Sequence, residues 1–274
     1  MAIDVDRLRA RAAILHAART WLHHAGFLEL QPPVLVPSPA LEANLEAVAV
    51  GDAWLHTSPE FALKRALAAG LGRIYAITPC FREEEQGRHH SREFTLLELY
   101  APGWRHLDLM PAVESLVGAC ARAVGQPEPR FAVRTVSELF GGTIPASDDA
   151  FYLEWVDRVE PRLTEPTFVI DWPARHAALA EVRGEVAERV EAYFGGLELA
   201  NGFSELRDPV ELRRRFVESA MARAARGRAP HPVDEALLAA TARMPRCAGI
   251  AIGVDRLVMA LTGASDIASV LITR

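Results

Sequence analysis

The stretch CFREEEQGRHHSREFTLLELY, residues 80–100, decides how the whole chain is interpreted. It places one arginine, Arg82, before a run of acids and then alternates apolar and polar residues as a β-strand does. The β-branched and aromatic residues of 74–82 predict a strand before it. Residues 83–92 would then form a long charged loop on two rigid strands, where sites are commonly built. An ordinary surface hairpin with a solvated charge run is the alternative.

The second strand of this hairpin is predicted to have two different faces, because successive side chains of a strand point to opposite sides of a sheet. The face that can pack on a core carries Thr95, Leu97 and Leu99. The opposite face presents polar tips on a rigid support and carries Phe94, Leu96, Glu98 and Tyr100.

Composition predicts a globular protein with a large core. Half of the 274 residues are hydrophobic and the formal net charge is −6, which does not indicate a protein that lives on nucleic acid. The sequence has no apolar run long enough for a membrane span and no signal-peptide core, so we expect a cytoplasmic protein without membrane association. Cys80, Cys120 and Cys247 are widely spaced and lack a CxxC pair, which predicts buried, reduced thiols.

Three helices are predicted in the first half of the chain from capping residues and apolar periodicity. The first covers residues 4–25 and the third covers residues 107–124. The second begins with Ser58 as its N-cap and Pro59 at the first helical position. Capping alone is sufficient to explain Ser58 and Glu60.

The second half is less regular. Residues 127–166 contain no readable motif, residues 167–172 predict a buried strand, and the alanine-rich residues 174–183 predict a helix or a mobile loop. A further helix is predicted over residues 208–227. Its arginines predict a solvated basic face, with a phosphate or partner site as the alternative; they are Arg213, Arg214, Arg215, Arg223 and Arg226.

A second hairpin is predicted in RVEAYFGGLELANGFSEL, residues 189–206, where two strand-like runs flank a Gly-Gly pair suited to a two-residue turn. The simplest register sets Phe194 opposite Leu197 and Ala192 opposite Leu199.

Acidic residues on this hairpin suggest a cation site. Glu191 and Glu198 would be diagonal neighbours on one face, about 7 to 8 Å apart at the backbone, and two such carboxylates could share Mg²⁺. Strict alternation puts Glu205 on the opposite face, so its membership of the site requires a bulge, which we place at Asn201-Gly202. Two exposed glutamates on a sheet face are the alternative.

A third element, CAGIAIGVDRLVMALTG at residues 247–263, predicts a buried strand followed by a helix. Gly253 permits close approach of a ligand to the backbone. Asp255 suits the start of a helix, whereas Arg256 there is easier to understand if it faces an anion such as a triphosphate. An incidental arginine is the alternative. The sequence contains neither GxxxxGK[ST] nor GxGxxG, so no P-loop or dinucleotide fold is indicated.

Together these residues resemble the catalytic core of class II aminoacyl-tRNA synthetases. The first, second and third class motifs are matched by residues 26–33, 81–95 and 253–257, and TSPE, EFT-x-x-E-x-Y and ELANGFSEL resemble the lysyl enzymes. The resemblance implies an α+β fold with an antiparallel β-sheet flanked by helices, in a single catalytic domain over residues 1–274. Because the first core helix begins at Asp4, we expect no anticodon-binding domain and no recognition of a tRNA anticodon.

The chain is also similar to shortened lysyl-synthetase paralogues that attach (R)-β-lysine to a lysine of elongation factor P. Ala251 matches an alanine that these paralogues have where the synthetases have glycine. Its methyl group would shrink the space beside the substrate amino group, which would favour a displaced β-amine. The alternatives are a ligase for another amino acid, tRNA or other acceptor, and a non-catalytic regulatory paralogue.

The resemblance implies ATP and Mg²⁺ as cofactors, a homodimer, and a role for individual residues. Arg82 and Arg256 would be catalytic, with Arg82 on the substrate carboxylate and α-phosphate and Arg256 near the γ-phosphate. Glu191 and Glu198 would hold Mg²⁺. The residues implied to border ATP are Arg82, Glu83, Glu84, Ser91, Phe94, Glu198, Leu199, Gly253 and Arg256. The residues implied to contact the amino acid are Ser58, Pro59, Glu60, Tyr100, Glu205 and Ala251.

Two of these roles concern the amino groups of the substrate: Glu60 would lie near the inner amine, and Glu205 with Tyr100 at the ε-amine. One departure stands out in the ATP loop, where Ser91 and Arg92 replace the asparagine and proline of relatives.

Overall fold

The structure is a computed structural model that describes residues 4–40 and 42–272. The strands are β1 (Leu28–Glu29), β2 (Leu35–Val36), β3 (Ala49–Val50), β4 (Ala53–Leu55), β5 (Ile74–Phe81), β6 (Glu93–Pro102), β7 (Ala132–Thr135), β8 (Thr167–Ile170), β9 (Trp172–Pro173), β10 (Val182–Arg183), β11 (Val186–Ala187), β12 (Arg189–Phe194), β13 (Leu197–Ser204) and β14 (Cys247–Gly253). The α-helices are α1 (Val5–His24), α2 (Glu60–Ala68), α3 (His106–Ala123), α4 (Val136–Leu139), α5 (Asp148–Glu154), α6 (Pro209–Ala225), α7 (Glu235–Thr241) and α8 (Val254–Thr262).

The central sheet of the described chain has eight strands in the order β1-β5-β6-β14-β13-β12-β8-β7. Its six inner strands pair antiparallel, whereas β1 joins β5 and β7 joins β8 in parallel at the two edges. The predicted α+β fold is therefore confirmed, with a mixed rather than a wholly antiparallel sheet. Helices α1, α3 and α8 cover one face, where the largest apolar cluster lies.

The hairpin of β5 and β6 has the two faces that the alternation predicts. Leu97 and Leu99 are each 1% exposed and belong to the main core. Glu98 and Tyr100 lie on the other face, which also is buried. The loop between the strands is closed by the Arg82 N–H, which donates to the Arg92 carbonyl at 2.9 Å. The hairpin is thus a central part of the sheet and not a surface appendage.

The second hairpin has the predicted turn but a different register. Phe194 lies opposite Leu197 as expected, yet Ala192 lies opposite Ala200 and not Leu199. The reason is a bulge: β13 has one extra residue opposite the step from Ala192 to Tyr193 on β12. The predicted bulge at Asn201-Gly202 is therefore wrong in position. The predicted effect of a bulge on Glu205 is nevertheless right. One extra residue in a strand moves the side chains of all following residues to the opposite face of the sheet, so residues 201, 203 and 205 share the face of Glu191.

The helix boundaries follow the capping signals closely. Asp4 caps α1 by accepting from the Arg7 N–H, and Asp208 caps α6. Helix α2 begins at Glu60, one residue later than predicted, with Pro59 as its N-cap. Ser58 accepts from the Glu60 N–H at 3.0 Å, so its hydroxyl still satisfies a free donor of the first turn.

The region without a readable motif, residues 127–166, supplies β7, α4 and α5 and much of a second core. Phe151 and Trp155 stack with centroids 5.8 Å apart, and Trp155 packs on Trp172 at 4.7 Å. The alanine-rich residues 174–183 are neither a regular α-helix nor wholly irregular, because they hold a 3₁₀ turn at Ala174–His176 and end in β10. Aromatic packing over short elements leaves no long periodic pattern to detect.

The predicted basic face of α6 is wrong for Arg223, which is 1% exposed. Its guanidinium donates to the Leu45 carbonyl at 2.6 Å and to Glu46 at 2.8 Å. The Glu46 carbonyl in turn accepts from the Glu83 N–H at 2.8 Å. A buried charge needs hydrogen-bond partners, and Arg223 finds them in residues 45 and 46. Arg223 therefore stabilises the segment beside the charged loop. Arg213, in contrast, is an exposed partner of Glu235.

The three cysteines are free and buried, as predicted. Across residues 4–40 and 42–272, every helix is too short or too polar to cross a bilayer.

Candidate active site

A cavity of about 310 Å³ opens on the face of the sheet opposite the main core. Strands β6, β13 and β14 form its floor, and the start of α2 and the charged loop form its walls. The predicted site residues that line it are Ser58, Glu60, Arg82, Ser91, Phe94, Tyr100, Glu198, Leu199, Glu205, Ala251, Gly253 and Arg256. Three segments that are distant in the sequence thus meet at one place.

Cross-strand pairing explains why these side chains converge. Asn201 pairs with Ala251, which pairs with Glu98, so these three residues form one row across the floor. A neighbouring row is formed by Phe203, Gly249 and Tyr100. Because directly opposite residues share a face of the sheet, both rows face the cavity.

One end of the cavity is acidic. Glu98 is 2% exposed and accepts from the Ser58 hydroxyl at 2.7 Å and the Tyr100 hydroxyl at 2.6 Å. Burial, aided by the nearby Glu60 carboxylate, raises the pKa of Glu98, and both hydrogen bonds oppose that rise. Glu98 was assigned no role from the sequence, although the alternation of β6 had placed it on the polar face.

Glu205 completes the acidic end. It is 1% exposed, and its Oε2 lies 2.6 Å from the ammonium of Lys64. Its Oε1 accepts no hydrogen bond from any residue in the described part of the chain. Burial raises the pKa of this carboxyl, and the Lys64 ammonium opposes the rise. A buried carboxylate oxygen without a donor is costly and indicates a place for a donor on a ligand.

The other end of the cavity is basic. Arg82 donates to Glu85 at 2.8 Å, and its guanidinium lies 4.9 Å from the centroid of the Phe94 ring. The Nε of Arg82 is buried without an acceptor among residues 4–40 and 42–272. An arginine with a spare, buried donor is suited to a carboxylate or phosphate.

Two of the predicted ATP-bordering acids do not line the cavity. Glu83 pairs with Arg92, and Glu84 accepts from Arg228 at 2.7 Å. Glu85 is the acid of this run that faces the cavity. A loop has no fixed periodicity, so the sequence could not tell which of three consecutive glutamates points inward. Pro59 also lies outside the lining, at the N-cap of α2.

The departure from the family pattern at residues 91 and 92 has a simple structural outcome. Ser91 lines the cavity, whereas Arg92 is about half-exposed and pairs with Glu83 on the outside of the loop. Arg92, at the position where the resemblance implies a proline, therefore forms an ion pair within the loop.

Arg256 lies at the cavity mouth and is held by three contacts, one of which is an ion pair with the Glu198 carboxylate at 3.7 Å. It donates to the Glu198 carbonyl at 2.7 Å and to His90 Nε2 at 2.8 Å. Burial and the adjacent Arg256 lower the pKa of His90, which keeps the imidazole neutral and able to accept. The preceding Asp255 is buried and accepts from the Thr95 N–H at 2.7 Å, which ties α8 to β6.

The predicted Mg²⁺ ligands differ in availability. Glu198 faces the cavity, with 36% of its side chain exposed. Glu191 is 3% exposed, lies outside the lining, and pairs with Arg189 while accepting from Tyr193 at 2.7 Å. No group of three or more His, Cys, Asp or Glu side chains in the described residues is arranged as a metal site. The donors fit an ion bound largely through substrate phosphates with Glu198 as a protein ligand. A role for Glu191 stays a prediction.

Other residues of the lining were not predicted. Asn201 and Phe203 follow from the register once the bulge is placed, and could have been found by shifting the alternation of β13 by one residue. Gly249 lies on β14, where it pairs with Phe203 and Tyr100. Glu42 and His90 lie in irregular segments and left no periodic signal.

Gly249 is required by close packing in the cavity floor. A Cβ at this position would lie 2.3 Å from Tyr100 Cε1 and 2.7 Å from Glu205 Oε1. We expect Gly249→Ala to destabilise the fold by about 1 to 3 kcal/mol, as overpacking does, and to displace both side chains. Denaturant unfolding measures the loss. Gly72→Ala is the control, because a Cβ there meets nothing within 4 Å; equal stability of the two variants would contradict the packing.

The sheet order, the three helices on one face and the two-ended cavity on the other agree with the class II aminoacyl-tRNA synthetase fold that the sequence motifs imply. A comparison with protein families supports this assignment, because residues 5–272 match the model of the tRNA synthetases class II (D, K and N). The chain belongs to this family. Membership indicates a ligase that uses ATP and an amino acid.

Proposed function

We propose that the chain activates a lysine-like diamino acid, (R)-β-lysine or lysine, as an acyl-adenylate and transfers it to a lysine side chain of elongation factor P. The observation that carries the choice of amino acid is the acidic end of the cavity, where Glu60, Glu98 and Glu205 converge and Glu205 Oε1 lacks a donor among the described residues. Ammonium groups would supply the missing donors.

The two ends of the cavity divide the work of adenylate formation. The acidic end would hold the amino groups, and Arg82 at the other end would hold the carboxylate beside the α-phosphate of ATP. The carboxylate oxygen attacks the α-phosphorus and pyrophosphate leaves, while Arg82 stabilises the charge that develops on the phosphoryl oxygens. The acceptor amine then attacks the carbonyl carbon, AMP leaves, and an amide forms.

The remaining groups would position ATP. Phe94 would stack on adenine, and Arg256 would face the terminal phosphates from the cavity mouth. Bound Mg²⁺ would neutralise charge on the phosphates, and Glu198 is the carboxylate placed to hold it. The homodimer and the cytoplasmic location that the resemblance implies belong to the same proposal.

The decisive experiment is amino-acid-dependent exchange of pyrophosphate into ATP, with (R)-β-lysine and α-lysine compared side by side. We expect exchange with at least one of the two. The absence of exchange with both would refute the activation of a lysine and would favour a ligase for another amino acid or a regulatory paralogue. Transfer is then tested by the mass of elongation factor P after incubation with the enzyme, ATP and the active amino acid. Pyrophosphate exchange without a change in this mass would refute elongation factor P as the acceptor.

Ala251 is expected to set the preference between the two lysines. It lies in the floor of the cavity between Asn201 and Glu98. Ala251→Gly removes one methyl group, and a methylene-sized change in a pocket is worth about 1 to 3 kcal/mol of discrimination. We expect the kcat/KM ratio of α-lysine to (R)-β-lysine to rise by about tenfold or more. An unchanged ratio would show that the methyl group does not determine selectivity.

A further inference from the structure

Lys64 is the only lysine in the sequence, and the other 29 basic side chains of the Lys and Arg total are arginines. It lies on α2 and is 3% exposed. Its Nζ is 2.5 Å from Glu60 Oε1 and 2.6 Å from Glu205 Oε2, and it lies 5.4 Å from the centroid of the Phe203 ring. The chain therefore places its one compact ammonium group directly behind the acidic end of the cavity.

The electrostatics of this end depend on that ammonium group. Burial and the neighbouring carboxylates raise the pKa values of Glu98 and Glu205, and the Lys64 ammonium opposes the rise at both. Burial alone would lower the pKa of Lys64, but the Glu205 and Glu60 carboxylates outweigh burial and raise it above the ordinary lysine value. Lys64 thus stays charged. The charged and titratable groups that surround it are Glu60, Glu98, Tyr100, Glu205 and Cys247.

We propose that Lys64 is a positioning residue that holds the Glu60 and Glu205 carboxylates aimed into the cavity and favours the ionised form of Glu205, and that it tunes the acidic end to substrates with two ammonium groups. The inference rests on the proposed function. Glu60, Glu98 and Glu205 carry three negative charges when ionised, and Lys64 neutralises one of them. Two positive charges on the ligand complete the balance. An amino acid with a single ammonium group leaves one buried carboxylate unpaired, which is unfavourable.

A lysine suits this place better than an arginine. The ammonium is small and has three donors that can be shared between carboxylates on two elements, whereas the guanidinium is a wide planar fork. Here the two partners come from α2 and from the chain just after β13. Lys64 therefore also fixes the distance between the helix and the sheet at the point where the amine binds.

The first test compares pH profiles for Lys64→Met, which keeps the chain length and removes the charge. With the ammonium gone, the Glu205 carboxyl ionises only at higher pH, so the rise of kcat/KM for the diamino acid is expected to move upward by at least about one pH unit. The KM for ATP should stay close to the wild-type value. Lys64→Arg keeps the charge but not the compact shape, so the pH at which kcat/KM rises should stay near the wild-type value while kcat/KM itself falls.

A double variant separates charge from packing. If Lys64 acts on Glu205, the double variant Lys64→Met with Glu205→Gln should lose less kcat/KM for the diamino acid than the product of the two single losses. The reason is that each single change already removes the partner of the other residue. An unshifted pH profile in Lys64→Met, or equal losses for ATP and the amino acid, would overturn the proposal and leave Lys64 a structural residue.

The second test needs no variant and no turnover. Lysine labelled at its side chain and incorporated into the wild-type protein gives one NMR signal, from Lys64. We expect this signal not to titrate at the ordinary lysine pKa, and to shift when lysine is added but not when norleucine is added. A signal that titrates as a free lysine does would overturn the proposal. A response to lysine in a protein that catalyses no exchange would support the role of Lys64 and refute the proposed ligase function.

Discussion

Arg82→Met is expected to lower the rate of pyrophosphate exchange by about a hundredfold to a thousandfold, the effect typical of losing one preorganised donor to a developing negative charge. The Nε of Arg82 is buried without an acceptor among residues 4–40 and 42–272, and the guanidinium lies over the Phe94 ring. We therefore expect the guanidinium to lie between the proposed carboxylate and nucleotide subsites. The loss should fall mainly on kcat, because the interaction strengthens as charge develops in the transition state. Steady-state exchange at saturating amino acid measures it.

Arg213→Met is the matched control for this experiment, since Arg213 is an exposed arginine paired with Glu235 on the surface. Surface pairs of this kind contribute little to stability, so exchange should match the wild-type rate. A small effect of Arg82→Met on kcat, with a rise in KM alone, would mean that Arg82 only binds substrate and does not stabilise the transition state.

Glu205→Gln is expected to raise the KM for the diamino acid by about tenfold to a hundredfold, because truncating one partner of a buried charged pair costs a few kcal/mol, part of which the amide recovers. The KM for ATP should change little, since the residue lies at the acidic end. Equal increases in the KM for ATP and the KM for the diamino acid would show that Glu205 does not belong to the amine subsite. Glu235→Gln is the control, as an exposed carboxylate of the Arg213 pair.

The same residue predicts the pH dependence of the wild-type protein. Burial raises the pKa of Glu205 above that of a free glutamate, so the carboxyl is neutral over a wider acidic range. An ammonium group binds the ionised form. The KM for the diamino acid should therefore fall as the pH rises through the raised pKa. In Glu205→Gln this fall in KM with rising pH should be smaller. A flat KM profile in the wild-type protein would contradict this assignment.

Local pattern was sufficient for much of the fold. The alternation in β6 predicted the correct core face, and the Gly-Gly pair predicted the correct turn between β12 and β13. The helix starts at Asp4 and Asp208 followed from side-chain capping. These signals are readable because they involve residues close in sequence, where periodicity and caps act directly.

The short aromatic elements of 127–166 were unreadable for the opposite reason. Their stability comes from packing of Phe151 and Trp155 against Trp172, and such contacts have no fixed spacing in the chain. Arg223 is a second case: nothing in α6 distinguishes it from its exposed neighbours, and only the approach of residues 45 and 46 makes it a buried donor.

The candidate site divides in the same way. The sequence by itself determined that Arg82, Glu205 and Arg256 stand on or beside strands of one fold, through motifs that resemble those of class II synthetases. Only the tertiary structure decided that Glu85 rather than Glu83 faces the cavity, where the bulge lies that brings Glu205 onto the site face, and that the sole lysine lies behind Glu205. The physical reason is that pairing and burial across elements, which set register, orientation and ionisation, depend on neighbours that are distant in the chain.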